Sequence, residues 1–267
     1  MRRLLGCLVT VFALSGFCLL AYLGVQAWLE SSSANLELKQ TPVGVANYHL
    51  PNFSGRIDNS GYDVSFPQCR QPLSQKYVGF AIVGLNNGRP FTTNPCFAKQ
   101  WAWANQKSAR AIYINVSDPG SGSATKRGND IGRDALGRMS KLGVPSNVPV
   151  WLDVEIDNDW TTPSRSVTVL NQVLKSLSAA GHPVGIYSVP VHWFHITLSA
   201  PVSVPTWLGI GKYESKAAGV AAAKQACEQV NFGDRQPAIV QFVARFGSGW
   251  LDRNILCGSP AGLVARR

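Results

Sequence analysis

Short apolar runs rich in β-branched and aromatic residues alternate along most of the chain with longer stretches whose apolar positions recur at helical spacing. The period-two runs predict strands over Tyr62–Ser65, Tyr77–Leu85, Ala111–Val116, Val148–Glu155, Val184–Val189, Thr206–Ile210, Ala238–Val243 and Trp250–Ile255. The longer period predicts helices over Pro95–Asn105, Ala124–Leu142, Ser164–Ala180 and Glu214–Gln229. In the second of these, Ile131, Ala135, Leu136, Met139 and Leu142 share one face. Asn94-Pro95 marks a helix start, and Gly143 and Gly181 stand just past two helix ends. Strands mostly separated by helices point to parallel pairing through right-handed crossovers, and a closed (β/α)8 TIM-like barrel accommodates eight of them. A doubly wound open sheet is the alternative. It would bring a glycine-rich phosphate loop after its first strand, and Gly61-Tyr62-Asp63-Val64-Ser65-Phe66-Pro67 is not one.

The amino terminus breaks this rhythm. Leu4 to Leu29 carry no charge, behind Arg2-Arg3 and ahead of Glu30. The run exceeds the roughly 7–15 apolar residues of a secretory signal and suits a membrane-spanning anchor, which needs about 20. Small residues at Val25-Gln26-Ala27 and Ser32-Ser33-Ala34 leave cleavage open as the other outcome. Either way the positive end stays inside and everything after residue 30 is exported. Residues 31–58 show neither period and read as a linker, so the expected organisation is 1–30 anchor or signal peptide, 31–58 linker, and 59–267 barrel domain.

Composition narrows the classes. Charged residues make up only 15% of the chain and hydrophobic ones 45%, which excludes disorder over most of its length. The net charge of +10 comes from lysines and arginines spread along the chain with no Lys/Arg-rich run, so no nucleic-acid partner is expected. Cys7 and Cys18 lie in the apolar segment, while Cys69, Cys96, Cys227 and Cys257 form an even set in an exported domain. Two disulfides are expected. Three connectivities are possible, and closeness in sequence favours Cys69 with Cys96 and Cys227 with Cys257. No spacing matches a zinc site, and neither a metal nor a cofactor is implied; His192 and His195 lack a third ligand at suitable spacing and read as surface or helix-end residues.

The scarce acids are unevenly placed. Asp153, Glu155, Asp157 and Asp159 crowd one short segment, Asp63 ends the first predicted strand and Asp252 lies on the last. In barrels of this kind chemistry sits at the carboxyl ends of the strands. Residues two apart on a strand share a face, so Asp153 and Glu155 point the same way. Adjacent carboxylates resist ionising together, which holds one of them protonated as an acid near neutral pH. Cleavage of a glycosidic bond uses such a group, one carboxylic acid protonating the leaving oxygen while another group stabilises or traps the ring carbon. For an isolated Asp-X-Glu an exposed strand end would be the plainer reading; Asp63 and Asp252 on other strands favour a site. Tyr187 and Trp207 are candidate aromatic faces for a sugar ring, with Phe242 and Trp250 also near strand ends. Asn86-Asn87-Gly88 reads as a turn beside the same face.

These segments resemble, in order, the lysozyme-type glycoside hydrolases of family 25, muramidases with a barrel fold. Gly61-Tyr62-Asp63-Val64-Ser65-Phe66-Pro67-Gln68 resembles their opening Asp-Val-Ser, Trp151-Leu152-Asp153-Val154-Glu155 their fourth-strand Asp-X-Glu, and Val184-Gly185-Ile186-Tyr187-Ser188 their fifth strand. Pro205-Thr206-Trp207-Leu208, Val240-Gln241-Phe242 and Leu251-Asp252-Arg253-Asn254 are similar to their sixth, seventh and closing motifs. The resemblance implies Glu155 as general acid/base, Asp153 orienting the substrate's acetamido group, and Asp63 and Asp252 completing the acidic cleft, with Tyr187, Trp207 and Gln241 as the further candidate substrate-binding residues. It further implies a cell-wall polysaccharide, peptidoglycan, as the partner of an extracytoplasmic domain, and the positive charge suits an anionic wall; a monomer is expected. The second strand, ending Val83-Gly84-Leu85-Asn86-Asn87-Gly88-Arg89, and the third, Tyr113-Ile114-Asn115-Val116-Ser117, depart from the family pattern. Those departures keep a second expectation in play, a non-catalytic glycan-binding or scaffolding module on a degenerate hydrolase barrel.

Overall fold

A computed structural model of the chain describes residues 41–45, 59–73, 79–246, 249–258 and 265–266. Eight strands close into a barrel: β1 Ser60–Val64, β2 Phe80–Gly84, β3 Ala109–Asn115, β4 Val150–Asp153, β5 Val184–Ser188, β6 Thr206–Tyr213, β7 Ile239–Phe246 and β8 Gly249–Leu256. Each pairs with its neighbours in chain order, and β1 meets both β2 and β8, so none of the eight is left as an open edge. A short β9, Ala265–Arg266, adds to β3 outside the ring.

The pairings from β1 through β7 are parallel. The expectation of parallel pairing fails at the last strand, where β8 runs antiparallel to both β7 and β1. The reason is local. Phe246 pairs with Gly249, a hairpin, and a parallel return would need a crossover of a dozen or more residues.

Among the described residues, five α-helices connect the strands: α1 Phe97–Ala104, α2 Ala124–Lys141, α3 Pro163–Ala179, α4 Pro190–Thr197 and α5 Lys216–Cys227. Ser123 Oγ accepts from Lys126 N (3.3 Å) at the start of α2, and Ser215 Oγ accepts from Ala218 N (3.2 Å) at the start of α5. In α2, Ile131, Ala135 and Met139 are buried as expected, but Leu142 is exposed at the helix end. Helix α4 was not among the expected helices. Its apolar residues surround it, which hides the amphipathic period, although Pro190 in its first turn is a helix-start signal.

Two packed layers result. Inside the barrel, Phe80, Ile82, Ala111, Trp151, Trp207 and Ile239 fill the lower interior. Around it, the outward strand residues meet α-helical side chains such as Leu170, Val173, Leu177 and Trp193. The large interior rings fit because small residues face them: a Cβ on Gly61 would lie 2.5 Å from Phe80, and one on Gly185 2.4 Å from Trp151. Both expected disulfides form. Cys69–Cys96 ties the loop after β1 to the residue before α1, and Cys227–Cys257 ties the end of α5 to the residue after β8.

Of the expected linker, residues 41–45 are described and lie on the barrel. Val43 is fully buried, its N–H donates to Pro201 O (2.8 Å), and Ser203 N donates back to Val43 O (2.9 Å). Gly44 N donates to Asn171 Oδ1 at 2.8 Å. The apolar segment 4–29 lies outside the described residues; among those described, no helix is long and apolar enough to cross a membrane.

Candidate active site

The carboxyl ends of the strands open into a cleft of about 570 Å³. Its lining includes every residue the sequence nominated as catalytic or substrate-binding: Asp63 from β1, Asp153 from β4, Glu155 just beyond it, Tyr187 from β5, Trp207 from β6, Gln241 from β7 and Asp252 from β8. Asp157 and Asn158 lie at its rim, with Asn87, Gly88 and Arg89 of the turn after β2.

The floor is a hydrogen-bonded chain of side chains. Trp207 Nε1 donates to Asn254 Oδ1 (2.9 Å), and Asn254 Nδ2 donates to Asp63 Oδ2 (2.6 Å). Gln241 Nε2 donates to both Asp63 oxygens at 3.1 Å, and Tyr187 OH donates to Gln241 Oε1 at 2.9 Å. Asp63 is thus held by two amides and buried. Its carboxyl is nevertheless pushed well above the usual aspartate range, by burial first and by the Asp252 charge second; the Asn254 and Gln241 amides pull the other way.

Asp153 is held from the neighbouring strand. Asn115 Nδ2 donates to Asp153 Oδ2 at 2.5 Å, and Asn86 fixes Asn115 by donating to its carbonyl (3.0 Å) and accepting its N–H (3.1 Å). Asp153 Oδ1 is buried without a hydrogen-bond partner among the described residues. A buried carboxylate oxygen without a partner is an acceptor that a donor brought against it would satisfy. Burial, then Glu155, then Asp63 push this carboxyl well up, against the Asn115 bond.

Glu155 differs in being reachable. Its side chain is 29% exposed, while Asp153 is 6% exposed as a residue. Burial raises its carboxyl above the usual value, and Asp157 and Asp252 add to the rise. The backbone is fixed by Trp160 Nε1, which donates to Glu155 O at 2.7 Å. On α4, His192 Nδ1 stands 3.9 Å from Glu155 Oε1, and burial, followed by the His195 charge, lowers its imidazole below the ordinary value while Asp157 pulls it the other way. Asp252 is pushed up to about 6 by burial. Four carboxyl groups that each hold protons above their ordinary range therefore converge on one opening, the pattern by which a site carries an acid at mild pH.

Sequence reasoning nominated neither Tyr113, Asn115 nor Asn254 as site residues. All three were legible in phase, since Tyr113 and Asn115 share one face of β3 and Asn254 stands two residues past Asp252. His192 carries no such signal, because its approach to Glu155 depends on how α4 sits. Among the other aromatics, Phe242 faces out of the barrel, where a Cβ on Gly219 of α5 would lie 2.2 Å from its ring. Among the described residues no group of three or more His, Cys, Asp or Glu side chains is placed to hold a metal ion.

Fold and cleft together define a (β/α)8-type barrel with an acidic pocket at its carboxyl-terminal face. Solved structures with this fold include a family 25 glycosyl hydrolase from Bacillus anthracis, 15% identical with a TM-score of 0.54, covering 80% of this chain and 96% of its own. A muramidase from Acremonium alcalophilum is 17% identical at a TM-score of 0.53, with 76% of this chain and 95% of its own covered. A family GH25 lysozyme from Aspergillus fumigatus is 14% identical at 0.53, covering 73% and 92%. The chain thus shares the fold of the family 25 glycoside hydrolases that its motifs resemble. No family model and no curated protein matches it by sequence.

Proposed function

We propose that the protein is an exported glycoside hydrolase that cleaves the glycan of the bacterial cell wall, with Glu155 as the acid and Asp153 as its partner. The observation that carries this reading is the division of labour between two carboxyls on one strand end. Glu155 is solvent-reachable and holds its proton above the ordinary range, as a general acid must. Asp153 is buried, fixed by Asn115, and keeps one oxygen without a hydrogen-bond partner among the described residues.

In the first step Glu155 gives its proton to the glycosidic oxygen as the bond to the anomeric carbon breaks. The unpaired Asp153 oxygen accepts a hydrogen bond from the acetamido N–H of the sugar and orients its carbonyl oxygen, which closes on the anomeric carbon. Glu155, now a carboxylate, takes a proton from water as that water opens the ring so formed. Asp63, held by Gln241 and Asn254, and Asp252 line the floor beneath the sugar. Neighbouring structures bear on the substrate: an autolysin with this fold from Streptococcus pneumoniae, 12% identical at a TM-score of 0.51, was solved in complex with a synthetic peptidoglycan ligand. This chain covers 46% of that larger protein. The two disulfides support an oxidising compartment outside the cytosol.

The test is to incubate the full-length protein with purified peptidoglycan and measure new reducing ends, with Glu155→Gln as the control. Release by the wild type, reduced at least a hundredfold in the variant, is expected. Equal background release from both, with binding retained, would replace the hydrolase with a glycan-binding module.

A further inference from the structure

Above the carboxylates, the wall made by β6, β7 and β8 continues past the rim of the barrel. Lys212 pairs with Val243, Val243 with Asp252, and Arg245 with Trp250. Paired residues share a face, and residues two apart on a strand repeat it. Since Val243 and Asp252 line the cleft, Lys212 sits level with them on the same face, and Arg245 and Trp250 form the next layer up. That layer stands about 7 Å above Asp252.

The three side chains are gathered. Lys212 Nζ lies 3.7 Å from the centre of the Trp250 ring, and the Arg245 guanidinium carbon 5.3 Å from it. Two positive charges are drawn to one indole, and their compensation is thin. The carboxylate paired with Arg245 is that of Glu214, 3.5 Å away and 83% exposed, and Lys212 makes no ion pair among the described residues. Below them the cleft is the reverse, with Asp63, Asp153, Glu155, Asp157 and Asp252 all lining it. The opening therefore has an acidic floor beneath a cationic, aromatic lip on the β6–β8 side, with Arg89, faced by Asp159, at the rim on the β2 side.

Resting on the glycoside hydrolase reading above, we infer that this lip is a binding subsite for an oxyanion carried on the glycan, a carboxylate or a phosphodiester. An anionic substituent is repelled by the floor and accepted at Lys212 and Arg245, while the Trp250 indole offers apolar surface to the adjoining sugar. The lip thereby orients the chain, setting the neutral sugar over Glu155 and its charged substituent outward. A neutral polymer of the same sugars gains nothing from it.

Binding is measured by calorimetry on the full-length protein carrying Glu155→Gln, so that no glycan is cut. Three probes are used: a neutral N-acetylglucosamine oligomer, a carboxylate-bearing peptidoglycan glycan fragment, and a phosphodiester-bearing wall polymer. Adding Lys212→Gln and Arg245→Gln, both at exposed or rim positions, is expected to weaken the oxyanion-bearing probe about tenfold while changing the neutral oligomer less than twofold. The difference should shrink as salt is raised. Whichever of the two anionic probes shows the loss identifies the oxyanion. If the parent binds neutral and anionic probes equally, or the double change weakens both alike, the lip is not a subsite and the hydrolase reading stands. If the parent binds none of the three, the glycan reading falls and the lip falls with it.

Discussion

The carboxylates of the cleft should cost the fold stability at neutral pH, and Asp252 allows the size of that cost to be worked out. In the unfolded chain an aspartate titrates near 3.8, whereas burial pushes Asp252 up to about 6. The folded state therefore binds this proton more tightly than the unfolded one. The resulting stabilisation is complete below pH 3.8 and disappears as pH rises through 6. A difference of about two pK units is worth ~3 kcal/mol. Asp252→Asn keeps the shape and removes the charge, and the Asp252 carboxylate accepts no hydrogen bond from a described residue that the amide would forfeit. The variant should be more stable than the wild type by up to about 3 kcal/mol at pH 8, with the gap closing through pH 6 and nearly gone below pH 4. Relief of Asp63, whose carboxyl the Asp252 charge helps to raise, acts in the same direction. Urea unfolding with the disulfides intact measures this as a shift of midpoint at constant slope. A gap of the same size at pH 4 and pH 8, or a variant less stable than wild type at pH 8, would refute the electrostatic account of the cleft.

Asn115→Ala removes the donor to Asp153 and should lower kcat/KM on peptidoglycan about ten- to a hundredfold, the worth of one charge-assisted hydrogen bond; an unchanged value would show that Asp153 is not held through Asn115. Replacing Cys69 and Cys96 by serine opens the link between the loop after β1 and α1 and should cost ~2–4 kcal/mol in denaturant unfolding. Alkylation and mass spectrometry of the native protein should find no free thiol among Cys69, Cys96, Cys227 and Cys257. Two glycine substitutions should diverge: Gly185→Ala drives a methyl to 2.4 Å from the Trp151 ring and costs about 1–3 kcal/mol. Gly137→Ala, on an exposed position of α2 with nothing within 4 Å, gains roughly 0.5–1 kcal/mol by helix propensity.

The barrel was legible because its strands are read by period two or by continuous burial, and both survive without context. Phe80–Gly84 and Val184–Ser188 are buried at every position, and both stand out by their runs of apolar and aromatic residues, Phe80–Val83 and Val184–Tyr187. The direction of β8 was less visible. Only two residues separate Ile239–Phe246 from Gly249–Leu256, and that short gap is the sign of a hairpin. The acids of the site were found because carboxylates are scarce here and expensive to bury. The amides that hold them, Asn115, Gln241 and Asn254, are ordinary strand residues by composition; only Gln241 was picked out, through its motif. The closeness of His192 to Glu155, and of Lys212 and Arg245 to Trp250, arises from tertiary placement that no local pattern encodes.

Val43 gives the boundary of the domain a practical meaning. Composition alone would start an expressed fragment at the first barrel strand. Such a fragment would leave a slot open beside Val202 and Asn171, with the Pro201 carbonyl and the Ser203 N–H both stripped of their partners. It would also forgo the burial of one valine side chain, worth about 1.5–3 kcal/mol. Fragments meant for crystallisation or assay should begin at or before Thr41, and those begun at Ser60 should be the ones that express poorly.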